Sequence, residues 1–346
     1  MKALTVALIA LLAAALPGPA RADDTLHVTA SFAGGIEVFE NVAKYGGIYD
    51  AEHVKVDKTY SGSGSICVQL AATGKVDVCA TSIEPTILGY DKGVRLQMFL
   101  SRIHDYEFVL AVLDDSPIKT LADFRGKVIG EPALADVSEV AANDMLEGAG
   151  LKKSDYSYVP IGVGGQALSA LAAHKVDGFT TSATALGTES AVAHLKFRLF
   201  RDPLLDDIPD SGFEARPDVI AAKSDLIKRY VRAIVKAAIL IRENPQVAAR
   251  YALMGENVGT AITPEALKTE TAELISLQSH FMGVDPFNPR LGENPVRALE
   301  RYCRFLHDAG LTSTVVPAAA IVTNQFIAYA NDFDKKAWIA EVKKMR

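Results

Sequence analysis

The chain has 346 residues, 49% of them apolar and 23% charged, with a formal net charge of −6 at pH 7. An acidic balance of this kind argues against nucleic acid or an anionic membrane as partner. The length and apolar content exceed what one core holds, so two lobes of roughly 100 to 200 residues each are expected.

At the start, Lys2 leads an apolar run from Ala3 to Leu16, followed by Pro17, Gly18 and Pro19 and then by Ala20-Arg21-Ala22. A basic start, an apolar core, helix breakers and a small-x-small site form a secretory signal, with cleavage expected after Ala22. The run of about fourteen apolar residues falls short of the roughly 20 that span a bilayer. No Cys stands at the cleavage site, so the expectation is a freely diffusing periplasmic protein without membrane insertion.

From Leu26 the pattern alternates. Residues 26–30 read as a strand, 31–35 as a loop and 36–47 as a helix closing on Gly46 and Gly47. VKVDKTY is a second strand, SGSGS a turn, ICVQLAATG a helix and VDVCATS a third strand. Strands alternating with helices imply a parallel sheet with helices on its faces, an α/β fold. The loop, helix and strand then recur. Gly62, Gly64, Ala72, Lys75, Val76, Asp77, Thr81 and Ser82 match Gly162, Gly164, Ala172, Lys175, Val176, Asp177, Thr181 and Ser182 at an offset of one hundred. The two copies are read as equivalent parts of two similar lobes. Their glycines allow a positive φ and a close backbone approach to a ligand at a helix start. Each following strand returns Thr-Ser to its carboxyl end, where open α/β sheets bind ligands.

Cysteine is scarce: Cys67, Cys79 and Cys303. A helix packs about 10 Å from its own sheet, whereas a disulfide needs Cα atoms about 4.4 to 6.8 Å apart. Buried free thiols are therefore expected in preference to a Cys67–Cys79 bridge.

Three stretches carry a family resemblance: SGSGSICVQLAATGKVDVCAT, DSPIKTLADFRGKVIGEP and PDVIAAKSDLIKRYVRAIVKA. The second resembles a Ser-Pro-Ile, Leu-x-Asp-Leu-x-Gly-Lys signature, with Phe124 in place of the usual Leu. The chain is similar to the periplasmic substrate-binding proteins of ABC importers in the nitrate, sulfonate and taurine class, which includes binders of thiamine-precursor pyrimidines. The resemblance implies a two-lobed type II periplasmic-binding-protein fold, each lobe a mostly parallel sheet flanked by helices. It places crossings near 110–117 and 209–221, a first lobe of residues 23–114 plus 211–346 and a second of 115–210. It also implies a monomer without cofactor or metal, which captures a small-molecule ligand and delivers it to the membrane subunits of an ABC permease.

Positions matching the family's ligand loops are Ser31, Phe32, Ala33 and Gly34, then Ser61, Ser63, Gly64 and Ser65, then Thr81, Ser82 and Glu84. In the second lobe they are Glu131, Pro132, Asp136 and Ser138, then Gly164, Gly165 and Gln166, then Thr181 and Ser182. Glu84 and Glu131 could each hold an amine, amidine or ring N–H through a charge-assisted hydrogen bond. Equally, each could cap a helix start ahead of its proline. Phe32 could stack on a planar ligand or plug the lobe interface. No Arg lies in these loops; Arg102 and Arg216 are the nearest, and exposure near a crossing is expected for both. A bidentate Arg is the natural clamp for an oxyanion, so zwitterionic, amine-bearing and neutral heteroaromatic ligands stay open beside sulfonates.

Enzyme motifs are missing. A G-x-G-x-x-G match from Gly62 needs a glycine where Cys67 stands, and there is no phosphate-binding loop, H-E-x-x-H or C-x-x-C. The remaining catalytic alternative is Cys67 or Cys79 with His104 as a nucleophile and base, similar to pyrimidine-synthase enzymes on this fold, whose Cys-rich motif is absent. A binding protein rather than an enzyme is expected.

Overall fold

The structure, a computed structural model, describes residues 25–31, 38–103, 108–133, 137–183, 186, 195–201, 208, 211–256, 261–278, 285–308 and 310–346. The expected signal segment, Phe32, Ala33, Gly34, His104 and Asp136 lie outside the described residues.

Among the described residues, ten strands form two five-stranded sheets. The first holds β1 (Thr25–Ala30), β2 (Lys55–Tyr60), β3 (Val78–Ser82), β4 (Gln97–Ile103) and β10 (Ser211–Ala215) in the order β2-β1-β3-β10-β4. The second holds β5 (Phe108–Leu113), β6 (Lys127–Glu131), β7 (Tyr156–Pro160), β8 (Gly178–Ser182) and β9 (Phe197–Phe200) in the order β7-β6-β8-β5-β9. The first three strands of each sheet run parallel, and β10 and β5 run antiparallel to their neighbours. This is a two-lobed α/β fold of the type II periplasmic-binding-protein architecture.

Pairing moves one crossing. The resemblance placed it at 110–117, but β5 pairs with β8 and β9 from Phe108 to Leu113, so the chain leaves the first sheet after Ile103. The run FVLAVL joins the second sheet because its middle is buried on both faces there. Likewise, β10 is already in the first sheet at Ser211, ahead of most of the segment expected to cross.

Helices flank the sheets: α1 (Val38–Tyr45), α2 (Ile48–Ala51), α3 (Gly64–Ala72), α4 (Glu84–Tyr90), α5 (Val137–Gly148) and α6 (Gly165–Ala172). Then follow α7 (Pro217–Ala222), α8 (Ser224–Glu243), α9 (Pro245–Glu256), α10 (Pro264–Leu277) and α11 (Val296–Asp308). The apolar face of α8, including Ile227, Tyr230, Ile234 and Ile241, is buried in one core with Phe39 and Val42 of α1 and Val28 of β1. Three-to-four-residue spacing of apolar side chains produces that face. Among the described residues no helix is long and apolar enough to cross a membrane.

The repeated Lys-Val-Asp has a structural job at the amino edge of each sheet. Asp77 accepts from the His27 amide at 2.9 Å, and Asp177 accepts from the Val128 amide at 2.9 Å. Each carboxylate pins the turn between helix and strand to the middle strand of its parallel trio, β1 or β6. Lys223 adds an ion pair to Asp77, and Lys127 one to Asp177.

The expectation of free thiols is corrected for two cysteines: Cys67 and Cys79 form a disulfide with Cα atoms 5.5 Å apart. The start of α3 comes closer to its sheet than a typical packed helix because Gly64 has no side chain. A Cβ there would meet Thr81 Oγ1 at 2.7 Å and Pro85 Cγ at 2.9 Å. At the corresponding places of the second lobe, Ala167 and Phe179 are buried in an apolar cluster instead. Cys303 keeps a buried free thiol, pushed up to about 12 by burial and by Glu300. Replacing Cys67 and Cys79 together by Ala should lower stability by about 2–3 kcal/mol in urea unfolding. The unreduced, denatured wild type should titrate a single thiol.

Candidate functional site

The carboxyl ends of the parallel strands lie beside the two crossings. Ser82, the last residue of β3, pairs with Ser211, which opens β10 directly after the second crossing. Ser182, the last residue of β8, pairs with Phe108, which opens β5 directly after the first. Both crossings therefore join the carboxyl edges of the two sheets.

The carboxyl edge, or rim, of the first lobe is closely knit. Ser31 donates to Thr81 Oγ1 at 2.6 Å, and its carbonyl accepts from the Gly62 amide at 2.8 Å. Ser61 donates to Ser63 O at 2.9 Å, while Ser63 caps α3 by accepting from the Ile66 amide at 3.2 Å. The structure thus brings together Ser31, Ser61, Ser63, Gly64 and Thr81. Ser65 is exposed in the first turn of α3, and Ser82 is half-buried at the strand end. Gly62 needs its positive φ of 80° to turn the chain into the helix, a conformation glycine adopts without strain.

In the second lobe Gly164 stands at the N-cap of α6 with φ 68° and no side-chain cap. Gly165 and Gln166 follow in the exposed first turn. Thr181 is buried, Ser182 is half-buried, and Thr180 donates to the carbonyl of the buried Ser138 at 2.7 Å, tying α5 to β8. Glu131 ends β6 and is buried.

Sequence reasoning missed a charged cluster at the root of both crossings. Arg102 is fully buried rather than exposed. It falls at a break in register, because Ser211 pairs with Ile103 and Gly212 with Ser101; a bulge of this kind re-aims a side chain. Its guanidinium lies 4.9 Å over the Phe213 ring, and its charge acts on buried Glu214. Thr86 donates to Glu214, and Tyr302 of α11 donates to Glu84 Oε1 at 2.6 Å. Burial raises the pKa of Glu84 against the hydrogen bonds from Tyr302, its own amide and Ser82. Burial also raises Glu214 well above the ordinary carboxylate range, with Glu84 adding to the shift and Thr86 and Arg102 opposing it. Glu84 thus anchors the first turn of α4 to α11. The sequence signals for this cluster were Glu84 and Arg102, the latter read as exposed; Glu214, Thr86 and Tyr302 gave none. Arg216 is at the opposite edge, bonded to Asp218, because antiparallel β10 carries it away from the carboxyl edge.

The catalytic alternative loses its nucleophile: Cys67 and Cys79 are bonded to each other. Among the described residues no three His, Cys, Asp or Glu side chains come together as a metal site.

The NMT1/THI5-like family profile matches residues 39–248. The chain belongs to that family. No curated protein matches the sequence. Among solved structures, the periplasmic aliphatic sulphonate binding protein SsuA from Escherichia coli superposes with a TM-score of 0.67 at 15% identity, over 87% of this chain and 92% of its own. The alkanesulfonate-binding protein SsuA from Xanthomonas axonopodis pv. citri, bound to MOPS, gives 0.62 at 15% identity, covering 88% and 99%. The desulfurization enzyme DSZB gives 0.58 at 18%, covering 88% and 98%. The fold is thus that of solute-binding proteins related to ABC importers, and it is also shared with an enzyme.

A carboxyl whose pKa is raised on folding adds stability at low pH, and that contribution is lost as pH rises through the folded value. Stability of the wild type should therefore fall on going from about pH 5 to pH 8 more steeply than that of Glu214→Gln, whose amide oxygen still accepts from Thr86. Chemical unfolding at a series of pH values checks this; equal slopes would remove Glu214 as the source.

Proposed function

We propose that the chain is the periplasmic capture component of an ABC importer: a small polar organic solute enters the cleft, the lobes close on it, and a membrane permease accepts the closed form. The observation that carries this reading is that both crossings join the carboxyl edges of the two sheets. Each edge carries a glycine-led helix start and a Thr-Ser strand end. The named ligands of the similar structures direct the search to sulfonates; the pyrimidine binders and enzymes that the sequence resembles add pyrimidines and aromatic acids. The secretory-signal pattern of the first 22 residues supports export, which capture for import requires.

Two measurements test the reading. Thermal unfolding of the purified protein against amines, sulfonates, pyrimidines, aromatic acids and nitrate should find a solute that raises Tm by several degrees at saturation. The same solute should compact the molecule in small-angle scattering. Turnover of a substrate with no solute raising Tm would overturn the capture role. Separately, the exported protein should begin at Asp23 by N-terminal sequencing; a retained leader would overturn export through a cleaved signal.

A further inference from the structure

We infer that the Cys67–Cys79 disulfide is a positioning element of the ligand site: it holds the rim of the first lobe in its binding geometry before a solute arrives. The solute docks there first, and the second lobe adjusts to it. The inference rests on the capture role proposed above.

The periods of helix and strand set the bridge one step beneath the rim. Cys67 follows Gly64 by three residues and so shares its face of α3; Cys79 precedes Thr81 by two and so shares its face of β3. Thr29, which pairs with Cys79, likewise stands two residues before Ser31, and its carbonyl oxygen lies 3.3 Å from Cys67 Sγ. Above this layer the rim segments meet. Ser31 donates to Thr81 Oγ1 at 2.6 Å, and Gly64 packs so closely that a Cβ would come within 2.7 Å of the same oxygen. The covalent bond therefore fixes the approach of helix start to strand end just below that meeting point. Cys67 and Cys79 are both fully buried, so the bond acts through Gly64 and Thr81 rather than by touching a solute.

Strand register identifies the same layer in the second lobe. Thr29 pairs with Cys79, and Gly130 pairs with Phe179. The next residues, Ala30 and Glu131, match in turn, because they pair with Tyr60 and Pro160, the last residues of β2 and β7. In the second lobe Ala167 and Phe179 replace the two cysteines, and Gly130 leaves room for the Phe179 ring, which a Cβ would approach to 3.4 Å. Apolar contact is non-directional, so α6 can shift on β8 where α3 is bonded to β3. The helix starts differ in the same sense: Ser63 caps α3, whereas α6 begins at an uncapped Gly164. Ordering a rim on binding lowers affinity, and a rim ordered in advance avoids that loss.

Hydrogen exchange and calorimetric titration of the full mature protein, with taurine, ethanesulfonate, benzoate and cytosine as probes, test this. Without any probe, the first turn of α3 should exchange about tenfold more slowly than that of α6. Equal or faster exchange in α3 overturns the inference, and this arm needs neither a ligand nor a variant. A saturating probe should raise protection in α6 and leave α3 level; an equal rise in both overturns it. The double variant Cys67→Ala/Cys79→Ala should lose protection in the first turn of α3 and not of α6, and should bind the probe about tenfold more weakly through slower association. Leu240→Ala, in the core face of α8, destabilises the lobe away from the rim and should keep wild-type affinity. Equal weakening by both variants would assign the effect to global stability and overturn the inference. Wild-type affinity in a folded double variant would also overturn it while leaving capture intact. Binding of no solute, in this panel and the wider screen alike, would instead sink the capture role and this inference with it.

Discussion

Each sheet contains one antiparallel strand, and that strand is supplied by the chain just after it leaves the other lobe. The second sheet forms only after the first crossing, and the first sheet is not complete until the chain has crossed back and added β10. Backbone hydrogen bonding thereby dictates that the carboxyl edges of the two sheets lie beside the crossings. The proposed site depends on this pairing, which brings the hydroxyls and glycines of each lobe to the edge that the crossings join.

At the root of the crossings the fold accepts an expensive arrangement. Arg102, Glu84 and Glu214 are all buried, held by Thr86, Tyr302 and the face of Phe213. Buried charge is tolerated only where partners replace water. Here those partners come from β4, β10, α4 and α11, which are the elements adjoining the crossings in the first lobe. The cluster therefore couples the end of β4 to the start of β10, just below the strand end that carries Ser82.

The two lobes share a plan and differ in execution. The first ties its rim helix to its strand with a disulfide and a serine cap, whereas the second uses Ala167, Phe179 and an uncapped glycine start at the same places. A covalent tie and a side-chain cap restrict the first rim more than apolar packing restricts the second. The exchange of Ala30 for Glu131 adds a difference in polarity to this mechanical one.

Local pattern determined much of this in advance. Alternating strands and helices announced a parallel α/β fold, and the repeat from Gly62 to Ser82 announced a second lobe, because glycine turns, helix periodicity and strand burial are written over a few residues at a time. What only the tertiary structure decided depends on how segments distant in sequence approach one another. Whether Cys67 and Cys79 bridge follows from how closely α3 lies on β3, which Gly64 permits. The fate of Arg102 follows from a bulge opposite β10, more than one hundred residues away. The match of Glu131 to Ala30 appears only in hydrogen-bond register, because β1 and β6 are displaced by one residue relative to the rest of the repeat.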